Sequence, residues 1–193
     1  MLVKKLCEVP DSIFDLAQYE LQAIDWNSID DNRSKLKVFY TSKAVHLRTY
    51  NLQKGQLPPE NAIDWAYIVD TVENMNETPK YPNVMNLVNW VYDTVKGIRL
   101  GRVLIANVEP YGEIKAHIDP FDYFAIHSRF HIPFKTSLDV LFHDGSKSNF
   151  EHMPYKTLCQ LNNRIMHGMI NYGSNNRIHL IIDIALPGGN KVF

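Results

Sequence analysis

The sequence predicts a mainly β fold with flanking helices, built as a double-sheet jelly roll or barrel. From Gly101 onward, short runs rich in β-branched and aromatic residues alternate with turn residues, and no helical stretch separates them. Before that point, segments with the helical spacing of apolar residues prevail. The 193 residues, of which 45% are hydrophobic and 21% charged, suit a single packed domain.

Residues 1–97 are predicted to form a helical and extended region that supports the β core. The clearest helix runs from Asn83 to Lys96, with Asn83 at the N-cap and Gly97 after the end. An extended segment is expected at Lys35–Tyr50, where apolar residues stand among polar neighbours. Two further helices are predicted at Pro10–Ala23 and Pro59–Met75.

Residues 98–187 are predicted to form the β core itself. Turn residues such as Asp144-Gly145 and Asn162-Asn163 separate the short strands of this region. The predicted strands are Arg102–Val108, Glu113–Asp119, Arg129–Phe134, Leu138–Phe142, Thr157–Leu161, Ile165–Asn171 and Arg177–Ala185.

Composition excludes several classes of partner. Twenty Lys and Arg against 21 Asp and Glu give a net charge of -1, without the basic stripe that nucleic-acid binding needs. The most apolar stretch, Ile178–Leu186, is shorter than the ~20 residues of a membrane span. No secretory signal is recognised at the start, and the two cysteines suit reduced thiols. We therefore expect a cytoplasmic protein that binds neither nucleic acid nor membrane.

The first candidate site lies in the strand predicted at Glu113–Asp119. Alternate side chains of a strand share a face, so His117 and Asp119 are expected to point together while Ile114, Ala116 and Ile118 enter apolar packing. An imidazole and a carboxylate in this arrangement can bind one metal ion. A surface ion pair or a hydrogen-bonded strand end is the alternative for the same two residues.

A third ligand and a cation come from a predicted hairpin further along the chain. His167 stands in an apolar run, and Arg177 follows across the turn at residues 172–176. An antiparallel hairpin of this length returns the second strand beside the first, so both side chains can face one cavity. A buried core histidine and an exposed arginine are the alternatives.

Together these residues suggest a facial triad, in which two His and one carboxylate bind Fe(II) and leave three positions open. Iron and the Asp119 carboxylate carry a net charge of +1, whereas a chelating dicarboxylate brings -2. Arg177 offers a planar fork for the far carboxylate, and such charge-assisted contacts are strong.

The residues that carry a resemblance are His117-x-Asp119, Arg129-Phe130-His131-Ile132-Pro133-Phe134, His167 with Asn171, and Arg177-Ile178-His179-Leu180. In this order they resemble the aspartyl/asparaginyl β-hydroxylase family of Fe(II)- and 2-oxoglutarate-dependent dioxygenases, over roughly residues 100–185. The resemblance implies a cupin-like double-stranded β-helix, with iron on His117, Asp119 and His167 and the distal carboxylate of 2-oxoglutarate on Arg177.

The same resemblance places Arg129 and His131 near the co-substrate or the substrate, although pairing with a carboxylate such as Asp183 is the alternative. It also implies that O2 is consumed and that an amino-acid side chain, free or in a peptide or protein, is hydroxylated. His179 and Asp183 are expected to orient other site residues. Two rival functions use the same ligands, namely a non-catalytic jelly-roll binding module and a zinc-dependent hydrolase.

Other candidates are assigned simpler roles. His127, His143 and His152 are expected at the surface, with His127 or His143 as contacts at the rim of the site. Exposed aromatic loop residues are expected to line its mouth, namely Tyr111, Phe121, Tyr123 and Phe124. Core positions are expected for Trp26, Trp65 and Trp90.

Overall fold

The computed structural model describes residues 1–29, 37–50, 72–119 and 122–190. A short 3₁₀ turn at Thr78–Lys80 precedes the second helix. In chain order the main elements are β1 (Val3–Glu8), α1 (Asp11–Gln22), β2 (Ser42–Tyr50), β3 (Val72–Asn74), α2 (Pro82–Thr94), β4 (Arg99–Val108), β5 (Glu113–His117), α3 (Asp122–Ile126), β6 (His127–Lys135), β7 (Val140–His143), β8 (Phe150–Glu151), β9 (Thr157–Leu161), β10 (His167–Asn171) and β11 (Arg177–Ala185).

The strands form two antiparallel sheets. The larger sheet has the order β1-β9-β6-β11-β4-β2-β3, and the smaller has the order β5-β10-β7-β8. One apolar cluster joins side chains of both sheets, with Val108 and Leu161 from the larger and Ile114 and Met169 from the smaller. The sheets therefore pack face to face, and the predicted jelly roll, or double-stranded β-helix, is confirmed.

Strand β11 lies in the middle of the larger sheet and shows how the two faces differ. Leu180 and Ile182 point to the outer face, where they are fully buried beneath α1 and α2. Each such burial contributes ~1.5–3 kcal/mol. Side chains at the other set of alternate positions point to the inner face, between the sheets, among them Arg177, His179 and Asp183. The helices thus stabilise one face and leave the other for polar groups.

The predicted helices at 10–23 and 83–96 are confirmed with small shifts in their ends. The predicted N-cap Asn83 is wrong, because helix α2 begins at Pro82, whose fixed φ suits the first helical position. The Glu20 carboxylate of α1 accepts hydrogen bonds from the backbone N–H groups of Asn83 (2.8 Å) and Val84 (2.9 Å). A side chain of a neighbouring helix therefore replaces the local cap.

Other boundaries differ more. The extended segment expected at Lys35–Tyr50 becomes a strand only at Ser42, and Lys37–Thr41 form turns. The helix expected at Pro59–Met75 lies mostly outside the described residues, but its end at Val72–Asn74 is a strand that pairs with β2. Strand β1 was not predicted from the sequence, since Lys4, Lys5 and Glu8 interrupt any apolar alternation.

Three strands contributed by the first 97 residues, β1, β2 and β3, join the larger sheet. The division of the chain into a supporting region and a core at residue 97 stays a prediction. Within the described ranges, no helix is both long and apolar enough to cross a membrane.

Candidate metal centre

Three candidate ligands meet where β5 and β10 lie side by side. His117 ends β5, Asp119 follows two residues later, and His167 begins β10. The His117 Nε2 atom is 3.7 Å from Asp119 Oδ1, and the His167 Nε2 atom is 3.8 Å from Asp119 Oδ2. One ligand atom of each residue lies within 4.8 Å of the others. The structure thus brings together the three residues that the sequence singles out.

A β-bulge brings His117 to this position. His117 pairs with His167 and Ile114 pairs with Met169, so two residues of β5 stand opposite one residue of β10. The extra residue turns Ala116 and Ile118 outward, and Ile118 is 50% exposed. The prediction that both join the apolar packing beside Ile114 is therefore wrong, because strict alternation does not hold through a bulge.

Backbone carbonyls orient both imidazoles. His117 Nδ1 lies 2.7 Å from the carbonyl oxygen of Lys115, and His167 Nδ1 lies 2.9 Å from that of Ile165. A carbonyl only accepts, so Nδ1 is the donor in each ring, and in a neutral ring the Nε2 lone pair faces the cluster. Burial lowers the pKa of His167 to about 4, although Asp119 opposes this shift. His167 is consequently neutral near pH 7, as a metal ligand must be.

Asp119 is held through one of its two oxygens. Its Oδ2 accepts hydrogen bonds from Arg129 Nη1 at 2.5 Å and from Asn163 Nδ2 at 3.3 Å. Burial raises the pKa of Asp119, but the charge of Arg129 and then that of His167 outweigh it and keep the pKa below its ordinary value. Asp119 is therefore ionised at neutral pH.

The donor set fits a divalent iron ion. Two imidazoles and one carboxylate form the combination of the facial triad, which suits Fe(II) and leaves coordination positions open. The side chains of His117 and His167 also line a pocket that is partly open to solvent.

One part of the pocket, which we call its deep end, is lined by the buried side chains of Arg177 and His131. Arg177, at the start of β11, is only 1% exposed and lines the pocket. Its Nη2 atom donates to His179 Nδ1 at 2.7 Å, and its guanidinium lies over the Phe142 ring, 5.6 Å from the centroid. Because Arg177 can only donate, His179 carries its proton on Nε2 and is neutral. The structure thus places Arg177 in the cavity that also receives His167. The predicted hairpin is wrong, however, because β10 and β11 belong to different sheets, so the two side chains meet across the space between the sheets.

His131 lies beside the Arg177 guanidinium. It lines the pocket, is only 3% exposed, and neither ring nitrogen has a hydrogen-bond partner among the residues described. Burial, followed by the charge of Arg177, holds the pKa of His131 well below its ordinary value. Buried polar groups rarely stay unsatisfied, so a neutral imidazole in this position is suited to meet a ligand.

Arg129 also lines the pocket, but its contacts are with carboxylates. Besides Asp119, it binds Asp183 in bidentate fashion, with Nε to Oδ1 at 2.9 Å and Nη2 to Oδ2 at 3.2 Å. This is the pairing that the sequence offers as the alternative to a co-substrate contact. Sequence reasoning missed Arg102 and Asn163, whose partners lie far away along the chain.

Several rim assignments are wrong. His127 is buried at 1% exposure and stacks on Tyr123 with ring centroids 4.1 Å apart, because α3 folds over the start of β6. Tyr123 and Phe124 are likewise buried and do not line a mouth. His143 stands opposite Gly168 in the smaller sheet, on the face away from His167, and a Cβ at Gly168 would lie 2.7 Å from its Nε2 atom.

The remaining expectations have mixed outcomes. Tyr111 is 74% exposed but belongs to the turn before β5, at the far end of that strand from His117. Trp26 and Trp90 are partly buried against the core, as predicted. Trp65 and Phe121 lie outside the described residues.

Comparison with known proteins gives a family match and several similar folds. A family model described as aspartyl/asparaginyl beta-hydroxylase matches residues 24–187. A search of curated proteins finds no significant match.

Three solved structures illustrate the similarity of fold. A prolyl hydroxylase from Trichoplax adhaerens, in complex with a hypoxia inducible factor oxygen degradation domain peptide fragment, has a TM-score of 0.62 at 6% identity, covering 95% of this chain and 83% of that one. An oxidoreductase of the 2OG-Fe(II) oxygenase family from Burkholderia pseudomallei has a TM-score of 0.54 at 12% identity, covering 90% and 79%. A prolyl-4-hydroxylase from Pseudomonas putida has a TM-score of 0.53 at 11% identity, covering 96% and 93%.

Proposed function

Because the chain belongs to the aspartyl/asparaginyl β-hydroxylase family and is therefore an Fe(II)- and 2-oxoglutarate-dependent dioxygenase, we propose that it hydroxylates an amino-acid side chain within a peptide. The observation that carries this proposal is the pocket that joins the cluster of His117, Asp119 and His167 to the buried Arg177. One end of this pocket suits a divalent cation, and the other suits an anion.

His117, Asp119 and His167 would hold the iron through two Nε2 atoms and one carboxylate oxygen. Their protonation states support this assignment, since both imidazoles present Nε2 lone pairs and Asp119 is ionised at neutral pH. Bound iron and 2-oxoglutarate would together supply the activation of O2, with 2-oxoglutarate converted to succinate and CO2.

Arg177 would bind the distal carboxylate of 2-oxoglutarate. A guanidinium matches a carboxylate with two parallel hydrogen bonds, and its burial strengthens the contact because water does not screen it. His131, with two unsatisfied ring nitrogens in the same pocket, would donate a further hydrogen bond to the co-substrate. The signs of the charges also favour this ligand, because a dicarboxylate brings a charge of -2 to a pocket that would hold iron and Arg177.

The walls between the two ends would exclude water from the reacting groups. Leu161, Phe142 and Ile181 line the pocket and are buried, so the space beside the metal ligands is largely apolar. Exclusion of water strengthens the electrostatic contacts with the co-substrate and limits side reactions.

The rim of the metal site indicates where a peptide would dock. Ile118 (50% exposed) follows His117 directly, and Met166 (41% exposed) precedes His167. Ala116 lies near Met166, since an added Cβ at Gly145 would be 3.2 Å from Met166 Cγ and 3.6 Å from Ala116 Cβ. Exposed apolar side chains beside a site suit the apolar portions of a peptide better than a free, zwitterionic amino acid.

The test has two steps. Anaerobic addition of Fe(II) and then 2-oxoglutarate should produce a metal-to-ligand charge-transfer band, which a zinc-dependent hydrolase or a simple binding module would not give. Succinate release should then be compared for peptides containing Asp, Asn or Pro and for the free amino acids. Absence of the band would contradict the assigned site, and coupled succinate release with free amino acids alone would contradict the peptide substrate. An Asp119→Ala variant is the control, since it should give neither signal.

A further inference from the structure

Four charged side chains form a chain of alternating sign that ends at Asp119. Arg102 binds Asp183 Oδ2 through Nη2 at 2.9 Å and through Nε at 3.0 Å. Arg129 binds the same carboxylate at 2.9 and 3.2 Å, and its Nη1 atom reaches Asp119 Oδ2 at 2.5 Å. The formal charges of Arg102, Asp183, Arg129 and Asp119 sum to zero.

This chain is shielded from water. Asp183 is fully buried, and the side chains of Arg102, Arg129 and Asp119 are 20%, 12% and 10% exposed. The Phe124 ring lies against both guanidinium groups, with centroid distances of 5.0 Å to Arg102 and 4.9 Å to Arg129. Charges in such surroundings interact strongly, and loss of one partner leaves the others uncompensated.

The position of Arg129 raises a physical difficulty. Its guanidinium binds one of the residues that would hold a divalent cation, so its positive charge opposes metal binding. Asp183 reduces this obstacle, because its carboxylate takes two of the five Arg129 donors and offsets part of the charge of the two guanidiniums that it binds. The Nη1 atom of Arg129 remains available to bind Oδ2 of Asp119 and so orients this carboxylate. The other oxygen, Oδ1, then lies 3.7 Å from His117 Nε2.

We infer that Asp183 is a positioning residue of the metal centre: it neutralises and aims Arg129, which holds Oδ2 of Asp119 without repelling the metal. This inference rests on the proposed function, since it assumes that Asp119 is a metal ligand. It gives Arg129 a role different from the co-substrate contact that the sequence predicts.

A second contact supports the same arrangement. Asn163 Nδ2 donates to Asp119 Oδ2 at 3.3 Å, while Asn163 Oδ1 accepts from Asn190 Nδ2 at 3.3 Å. Asn190 in turn accepts a hydrogen bond from Ser128 Oγ at 2.8 Å. Both groups that orient Asp119 are thus fixed by buried neighbours, as is usual for residues behind metal ligands.

The experiment measures Mn(II) affinity, because Mn(II) occupies such sites, does not turn over, and is detected by electron paramagnetic resonance. Asp183→Asn should weaken Mn(II) binding by about tenfold or more, since it leaves Arg129 and Arg102 with excess positive charge. Arg102→Met removes a positive charge without touching Asp119, so its Mn(II) affinity should equal or exceed that of the wild type. The double variant should return to within about threefold of the wild type. Exposed Asp139→Asn and Arg99→Met repeat the charge changes elsewhere and should have no effect.

The opposite signs distinguish this role from a purely structural one. If Asp183 only stabilised the fold, both single variants would weaken Mn(II) binding in step with their loss of thermal stability, and the double variant would be worst. That pattern, or an Asp183→Asn variant with wild-type affinity, would overturn the inference. If Asp183→Asn does not fold, the double variant provides the test. A Mn(II) affinity more than tenfold below that of the wild type would then contradict the inference. Failure of the wild-type protein to bind Mn(II) would instead contradict the proposed function.

Discussion

The two ends of the pocket suit ligands of opposite charge. At the metal end, Asp119 belongs to a balanced chain of two carboxylates and two guanidiniums, with the imidazoles of His117 and His167 beside it. At the deep end, the Arg177 guanidinium donates to a neutral imidazole, that of His179, and a second neutral imidazole, that of His131, lies close by. One end is thus prepared for a cation and the other for an anion.

This difference explains how one small cavity can select a dicarboxylate. A monocarboxylate would satisfy either the metal or Arg177, but only a ligand with two separated carboxylates can satisfy both. The inner face of a single strand supplies groups to both ends, since Asp183 and Arg177 are both on β11. The rigid sheet therefore fixes the distance between the two charges.

Removal of a metal ligand should have the largest effect, because it should abolish cation binding at the metal end. We expect His167→Ala to abolish Mn(II) binding in the micromolar range and to reduce succinate production at least a thousandfold, because two donors cannot retain the metal against water. The matched control is His143→Ala, which changes a histidine on the opposite face of the adjacent strand. Similar losses in both variants would argue against the assigned triad.

Substitution of Arg177 should weaken the binding of 2-oxoglutarate at the deep end and leave metal binding intact. Arg177→Met should raise the KM for 2-oxoglutarate by about 10- to 100-fold, corresponding to the ~1.5–3 kcal/mol of a charged hydrogen bond. Mn(II) affinity should stay within threefold of the wild type, since the contacts of Arg177 with His179 and Phe142 involve none of the three metal ligands. Arg177→Lys keeps the charge but loses the planar fork, so its KM should lie between the two. An unchanged KM would remove Arg177 from the co-substrate site.

The sequence predicts the two ends unequally well. His117, Asp119, His167 and Arg177 were all accessible because each lies in a strand, or directly after one, whose position the pattern indicates. The bulge in β5 was not accessible, and the pairing of Arg129 with Asp183 was accessible only as one of two alternatives. A bulge is fixed by the partner strand, and the contact of Asp183 with Arg102 joins residues 81 positions apart. Such tertiary pairings leave no local signal.

The pH dependence of the free energy of unfolding should also differ between the two ends, and this is the smallest effect that we expect. Burial, and then the charge of Arg177, holds the pKa values of His131 and His179 well below their ordinary range. Each histidine binds a proton in the unfolded chain below about pH 6.5 but not in the folded protein. The unfolded state then binds more protons, so the free energy of unfolding falls as the pH drops below that value.

The carboxylates of the metal end behave differently. The charge of Arg129 outweighs the effect of burial and lowers the pKa of Asp183 strongly and that of Asp119 to a lesser extent. Their stabilising contribution is therefore complete above about pH 5 and is lost progressively in stronger acid. Between about pH 6.5 and pH 5, the slope of stability against pH comes from buried histidines and not from these carboxylates.

Urea unfolding in the presence of EDTA should reveal the contribution of His179. We expect the free energy of unfolding of His179→Asn to fall less steeply with decreasing pH than that of the wild type, by about 1.4 kcal/mol per pH unit, because one excess proton is removed. Asparagine still offers an oxygen to Arg177, so the charge at the deep end stays oriented. Equal slopes in the two proteins would mean that His179 takes up its proton in the folded state, and the deep end would then carry more positive charge than one guanidinium.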